Sequence, residues 1–208
     1  MSDTIELGPR TSRNYLMDPK RMAFVLSRYK FVAKILDGCA NVLEVGCGDA
    51  FGSPIVAQSV QQLTCCDYEE TLINSNISRL SMIGNIDFQV MDAIQSLPDG
   101  VFDAIYSIDM IEHIQPADEE EFLLNTCGSL SEHGMVIIGT PNVEAREYAS
   151  ELSASLHINL KGHADLRNLV SRFFHTTLLF SMNDEVVHTG FYAMAHYIFG
   201  IGVSPRTL

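Results

Sequence analysis

The stretch Val42-Leu-Glu-Val-Gly-Cys-Gly-Asp-Ala-Phe-Gly52 indicates the fold of this chain. Its β-branched and leucine-rich beginning predicts a buried strand, and three glycines follow where that strand ends. Glycines at such a point let the backbone turn sharply and approach a ligand at the edge of a parallel sheet. The third glycine comes one residue later than in the dinucleotide-binding pattern Gly-x-Gly-x-x-Gly, because Phe51 occupies that position.

Two acidic residues accompany this turn. Glu44 lies inside the predicted strand, and Asp67 ends the next apolar run, about 20 residues after the glycines, where a ribose-binding carboxylate is expected. An alternative for the glycine stretch is a tight strand-to-helix turn that binds no ligand. An alternative for Asp67 is a solvated acid at the end of a strand.

Composition excludes several classes of protein. The 208 residues suffice for one domain with one core, and the net charge of −13 without a basic stripe argues against a nucleic-acid partner. No apolar run approaches the roughly 20 residues that span a bilayer. The N-terminus has no secretory signal, and five cysteines without paired zinc spacing favour reduced thiols. We therefore expect a cytoplasmic protein with no membrane partner.

Strand-like and helix-like segments alternate along the chain, which predicts an α/β fold with a doubly wound, mostly parallel sheet and helices on both faces. The last two apolar runs are too close for a helical crossover, so they should pair antiparallel. The predicted helices cover about 18–36, 52–60, 69–81, 117–130 and 163–172, the strands about 41–46, 62–66, 86–90, 102–108 and 135–139, and the final runs 176–182 and 192–203. Residues 1–19 are polar and are expected to be loose.

Four segments in order resemble the class I S-adenosylmethionine-dependent methyltransferases of the small-molecule type: 44–48, Asp67, Val90-Met-Asp-Ala-Ile94 and Ser107-Ile-Asp-Met-Ile-Glu-His-Ile114. The resemblance is strong over residues 40–140 and topological over 165–203. It implies a seven-stranded Rossmann-like sheet whose last strand is antiparallel. It also implies a single domain over 1–208, with a helical cap at 1–37, a cofactor-binding core at 38–140, and a substrate-side segment with a terminal hairpin at 141–208.

The resemblance also implies S-adenosyl-L-methionine as cofactor and S-adenosyl-L-homocysteine as product. Glu44 would help to hold the amino-acid end, Asp67 the ribose hydroxyls, and Tyr68 the adenine. Asp92 and the backbone at Ala93 would recognise the adenine amino edge. The implied cofactor-binding set is Glu44, Gly46, Cys47, Gly48, Asp67, Tyr68, Asp92, Ala93, Ile108 and Asp109.

Methyl transfer needs a nucleophile behind the methyl group and an acceptor for its proton. Three segments should border the reacting face: the N-terminal helix, the stretch after strand 5, and the loop 183–190 between the last two strands. The expected substrate-binding residues are Tyr15, Asn142, Asn183, Asp184 and Glu185, and the candidate catalytic residues are His113, His157 and His188. His157, His163 and Asp165 match no defined ligand spacing, so no metal site is predicted.

The leading hypothesis is methyl transfer to an oxygen or nitrogen of a small polar metabolite or sugar-type acceptor. An alternative is a non-catalytic methyltransferase-like subunit that binds cofactor or acts as a scaffold. A nicotinamide-dependent dehydrogenase fits less well, because the glycine register differs and a Ser/Tyr-x-x-x-Lys pair is missing. The sequence does not indicate an oligomeric state.

Overall fold

One mixed sheet organises residues 4–148 and 156–207, which are the residues that the computed structural model describes. In that part of the chain the sheet has eight strands in the order β3-β2-β1-β4-β5-β8-β6-β7. The first five strands in sequence are parallel to one another, whereas β8 runs antiparallel between β5 and β6. The strands are β1 Asn41–Val45, β2 Gln62–Asp67, β3 Ile86–Val90, β4 Phe102–Ile108, β5 Leu130–Pro141, β6 Phe174–Asn183, β7 Val186–His188 and β8 Tyr197–Pro205.

Helices cover both faces of the sheet. Helices α2 to α4 pack on one face and α5 and α6 on the other, so the central strands are buried on both sides and read as continuous apolar runs. None of the described helices is long and apolar enough to cross a membrane. The helices are α1 Pro9–Met17, α2 Arg21–Ile35, α3 Ser53–Ala57, α4 Glu70–Leu80, α5 Glu119–Ser129 and α6 His163–Phe173, with short 3-10 turns at Ile111–His113, Pro116–Asp118, Val143–Tyr148 and Tyr192–Met194.

The expectation of seven strands is wrong by one. The mostly parallel α/β sheet with a reversed final strand is confirmed, but β7 adds an eighth strand at the edge, antiparallel to β6. It forms because the chain reverses tightly after Asn183, with Asp184 in the left-handed region at φ 49°. Three residues carry too little alternation to be recognised as a strand from sequence.

The polar N-terminus also differs from expectation, since Pro9–Met17 forms a helix instead of a loose segment. Pro9 stands in its first turn, where the missing N–H has no intrahelical partner to lose. The Asp49 carboxylate accepts a hydrogen bond from Thr11 N at 2.6 Å. Helix α1 therefore depends on a tertiary contact, which explains why its own sequence shows little apolar periodicity.

The third glycine of the motif has a packing role. A Cβ added at Gly52 would lie 2.1 Å from the Tyr29 ring, so only glycine lets α2 approach the start of α3 this closely. The Tyr29 ring is buried there and contacts Tyr106 edge-on, with 6.3 Å between the ring centroids. The unusual position of this glycine thus reflects helix packing.

Replacing Gly52 with alanine should force the Tyr29 ring to move. Overpacking of a filled core costs about 1–3 kcal/mol, so we expect Gly52→Ala to lower the free energy of unfolding in urea by this amount. Gly128→Ala is the matched control, because its new Cβ meets nothing within 4 Å near the end of α5. Equal stability of the two variants would contradict the packing role.

Candidate functional site

A cleft of about 620 Å³ opens at the carboxyl ends of β1, β2 and β4, below α1 and α2. Parallel strands end together at this edge, and in open α/β sheets ligands bind there. Among the residues that line it are Arg10, Thr11 and Asn14 of α1, Met22 and Tyr29 of α2, Gly46 to Asp49, Asp67, Tyr68, Ile108, Asp109 and His113.

The glycine turn forms the floor of the cleft. Gly46 and Gly48 have φ values of +76° and +53°, a region that disfavours other residues. A Cβ at Gly46 would lie 2.6 Å from the Met110 side chain, whereas one at Gly48 would meet nothing within 4 Å. Gly46 N and Cys47 N both donate to Cys66 O, which fixes the turn to β2. The turn is rigid and leaves open space above Gly48.

Asp67 lies at the end of β2 with its carboxylate turned toward this floor. One oxygen accepts a hydrogen bond from Gly48 N at 2.9 Å and the other from Glu69 N at 3.0 Å. Each carboxylate oxygen can accept a second hydrogen bond. Tyr68 follows on the rim and is 74% exposed, so its ring is available to a flat ligand.

Glu44 lies beneath the turn and does not line the cleft. Its side chain is buried and accepts hydrogen bonds from Tyr29 Oη at 3.0 Å and Tyr106 Oη at 2.9 Å. Ser53 Oγ and Cys65 Sγ donate to the same carboxylate. Burial raises the pKa of Glu44 although these donors lower it. Any effect on a ligand passes through Tyr29, which does line the cleft.

Asp92 and Ala93 lie beside the cleft without lining it. The Asp92 carboxylate accepts hydrogen bonds from Ile94 N at 3.1 Å and Gln95 Nε2 at 2.9 Å, so it stabilises the turn that follows β3. Met91 N donates to Asp67 O, which joins this turn to the end of β2.

Charged groups concentrate at the far end of the cleft. Arg28 of α2 forms an ion pair with Asp109, and its guanidinium lies 3.9 Å from the centroid of the Tyr197 ring. Glu112 is fully buried, and burial together with the nearby Asp109 raises its pKa to about 8. Thr140 Oγ1 donates to its Oε2 at 3.0 Å.

Two of the three candidate catalytic histidines come together here. The His113 and His157 rings are 5.1 Å apart, edge to face, and His113 lines the cleft. His113 Nδ1 is 3.1 Å from Leu156 O. Burial and the neighbouring His113 lower the pKa of His157, which favours its neutral form.

The third histidine lies elsewhere, with the loop that was expected to cover the reacting face. His188 Nε2 bonds Asn183 Oδ1 at 2.8 Å, and Gly190 N donates to its Nδ1 at 2.9 Å, so both ring nitrogens stabilise the hairpin. Glu185 and His188 line a separate pocket between α2 and the β6–β7 hairpin. Asp184 occupies the turn and is 3.8 Å from His196. None of Asn183, Asp184, Glu185 and His188 lines the cleft.

Tyr15 and Asn142 also lie outside the cleft lining. Tyr15 is 50% exposed on α1. The Asn142 side chain is buried and donates to Tyr192 O at 3.0 Å and Ala195 O at 2.9 Å, so it fastens the end of β5 to the turn before β8.

Several residues that support the cleft were not predicted from the sequence. Asp49 binds the start of α1, and Arg10 on that helix pairs with Glu69, so α1 bridges the ends of β1 and β2. Asn76 of α4 supports the glycine turn by donating to Gly48 O at 2.7 Å, and Arg79 donates to Asp49 O at 2.8 Å. Pro9, which is favoured in the first turn of a helix, is the one sequence signal for α1. The other residues named here take part in contacts between distant segments, which sequence patterns do not show.

Comparison with known proteins places this geometry in a family context. A family model described as a methyltransferase domain matches residues 43–138. A protein of Mycobacterium tuberculosis named a probable S-adenosylmethionine-dependent methyltransferase is 30% identical over 105 residues, which cover 49% of this chain and 36% of that protein. A ubiquinone biosynthesis O-methyltransferase of Rickettsia felis is 26% identical over 142 residues, covering 64% and 53%.

A solved structure shares the fold. The N-methyltransferase NodS of Bradyrhizobium japonicum, in complex with S-adenosyl-L-homocysteine, superposes with a TM-score of 0.63 at 13% identity, covering 90% of this chain and 87% of that one. The matched regions span about a third to a half of the two curated relatives, 36% and 53% of their lengths.

Removing the Asp49 carboxylate should loosen α1 without disturbing the sheet. Loss of the acceptor of a helix-start amide costs about 1.4 kcal/mol, so hydrogen exchange at the backbone amides of residues 10–17 should quicken about tenfold in Asp49→Ala. Asp99→Ala, which removes an exposed carboxylate elsewhere, should leave these rates unchanged. Unaltered exchange in Asp49→Ala would mean that other contacts hold α1.

Proposed function

We propose that this chain transfers a methyl group from S-adenosyl-L-methionine to an oxygen or nitrogen of a small polar metabolite or sugar-type acceptor, in keeping with the match of residues 43–138 to a methyltransferase-domain model. One observation carries the proposal: the cleft extends from the glycine turn and Asp67 to Asp109 and His113, and the His157 ring lies beside that of His113.

The residues at the first end fit the cofactor. A volume of about 620 Å³ suits a nucleoside joined to an amino acid, and ligand pockets usually measure about 300–1,000 Å³. Asp67 would bind the ribose hydroxyls, Tyr68 would pack on the adenine, and the space above Gly48 would admit the chain between them. When bound, S-adenosyl-L-methionine supplies a methyl group on a positively charged sulfur, and the Asp109 carboxylate in the cleft lining favours that charge.

The second end is suited to the acceptor. His113 and His157 lie next to each other, and we propose that they act on the proton of the acceptor atom, with Asp109 and Ile108 on the cofactor side. His188 is better explained as a hairpin residue, as are Asn183, Asp184 and Glu185. The start of α2, with Arg21 and Met22 in the cleft lining, would cover a small acceptor. The division into a cap at 1–37, a core at 38–140 and a substrate-side segment at 141–208 is part of this proposal.

The similar proteins do not distinguish an oxygen from a nitrogen as the acceptor atom. Their printed names include an O-methyltransferase and an N-methyltransferase. The −13 net charge favours a small molecule over nucleic acid as acceptor. A non-catalytic cofactor-binding subunit is the second candidate, and release of S-adenosyl-L-homocysteine in an acceptor screen separates the two.

Loss of the Asp67 carboxylate should weaken cofactor binding. Charge-assisted hydrogen bonds contribute roughly 1.5–3 kcal/mol, so Asp67→Ala should raise the Kd for S-adenosyl-L-homocysteine in calorimetry by about 10- to 100-fold. The matched control is Asp103→Ala: Asp103 also accepts two backbone N–H groups, from Ala40 and Asn41, but at the opposite edge of the sheet. If both variants bind like wild type, Asp67 is not part of the site.

Single-turnover rates with an acceptor found by the screen should show which histidines take part in methyl transfer. A group that handles the acceptor proton contributes roughly 10²–10⁴ in rate, so His157→Ala should slow methyl transfer by about 100-fold with cofactor affinity unchanged. His188→Ala and the opposite-edge control His133→Ala should react like wild type. A loss in His188→Ala as large as that in His157→Ala would place the acceptor at the hairpin instead.

A further inference from the structure

We propose that Glu112, His113 and His157 bind a divalent transition-metal ion, such as Mn²⁺ or Zn²⁺, at the acceptor end of the cleft. Binding of the ion does not depend on the proposed function. Its role in methyl transfer, described below, rests on that function.

The geometry brings together three potential ligand atoms from two distant segments. One ligand atom from each of Glu112, His113 and His157 lies within 4.8 Å of the other two. Around an ion with bonds of about 2.1 Å, ligand atoms are about 3–4 Å apart, so small side-chain rotations close the site. Two imidazoles with one carboxylate form a familiar set for a first-row divalent ion with open coordination positions.

The Glu112 carboxylate supplies an independent observation. The side chain is fully buried, and its Oε2 accepts a hydrogen bond from Thr140. Its other oxygen, Oε1, has no hydrogen-bond partner among the described residues, which include both neighbouring histidines. An unsatisfied buried carboxylate oxygen is costly, and a cation that also contacts His113 and His157 would remove this cost.

The orientation of His113 suits a ligand. A backbone carbonyl can only accept, so the 3.1 Å contact with Leu156 O requires the proton on Nδ1. The Nε2 atom then carries the lone pair that a metal needs. Metal-bound histidines commonly hold their second nitrogen in this way, often on a backbone carbonyl.

The segment that carries His157 is held against Glu112. Asn159 N donates to Glu112 O at 3.1 Å, and the Asn159 side chain bonds Glu119. Lys161 contributes an ion pair to the same Glu119. The two halves of the site are therefore fixed to each other before any ion binds, which lowers the entropy cost of forming it.

Such an ion would serve a hydroxyl acceptor more than an amine. With an ion bound, His113 and His157 would act as its ligands in place of the proton-accepting role proposed above. The ion would lower the pKa of a coordinated hydroxyl, whose proton would pass to water. The acceptor oxygen would then form a C–O bond as the C–S bond breaks, and S-adenosyl-L-homocysteine would leave as a neutral thioether. Asp109, which lines the same cleft, adds negative charge beside the cation.

The test is metal binding by the full, tag-free chain after treatment with EDTA. Calorimetry with Zn²⁺ and electron paramagnetic resonance with Mn²⁺ should each show one saturable site in the wild type. Removal of a ligand should weaken it about 10-fold or more in Glu112→Gln and in His157→Ala. His133→Ala, which removes an exposed imidazole at the opposite edge, should bind like wild type.

The outcomes are distinguishable from those of the cofactor proposal. If the EDTA-treated protein binds S-adenosyl-L-homocysteine but neither Mn²⁺ nor Zn²⁺ saturably, the metal site is wrong and the proposed function stands. Binding of both ions that is unchanged in Glu112→Gln and His157→Ala also overturns the site. Because His157 is half-buried near the surface, His157→Ala remains informative if Glu112→Gln fails to fold.

Discussion

The buried carboxylate of Glu44 is the constraint on which the rest of the structure depends. A carboxyl group inside an apolar sheet is costly unless donors surround it, and here the hydroxyls of Tyr29, Ser53 and Tyr106 and the thiol of Cys65 do so. These donors come from α2, α3, β4 and β2. One acid within β1 thereby fixes the positions of four neighbouring elements, and the glycine turn lies directly above it.

Position in the sheet explains which polar residues reach the cleft. Neighbouring strands are about 4.8 Å apart, and the cleft is centred on β1, β2 and β4. Because β8 inserts between β5 and β6, the β6–β7 hairpin lies at least two strand spacings beyond β5. Its polar residues lie at the carboxyl edge of the sheet, like the cleft, but too far from β1, β2 and β4 to line it. Asn183 and His188 hydrogen-bond each other instead.

The cleft has two chemically different ends. Under the proposed function, the backbone amides, the open space above Gly48 and the Asp67 carboxylate would bind the nucleoside, whereas the buried acids and the histidine pair would lie near the acceptor. Helix α1 closes the first end through Asp49 and Glu69. These contacts involve a few side chains, whereas the sheet beneath is held by its ladder of backbone hydrogen bonds.

The sequence by itself determined the mostly parallel α/β sheet with its antiparallel final strand and the glycine turn with Asp67 downstream, because hydrophobic periodicity and the spacing of Gly46, Gly48 and Asp67 are local signals. Only the tertiary structure decided the rest. Helix α1 is held by contacts with residues about 40 to 60 positions away, β7 is too short for periodicity, and His157 meets His113 across 44 residues. Such meetings depend on how segments pack, and local residue spacing does not encode them.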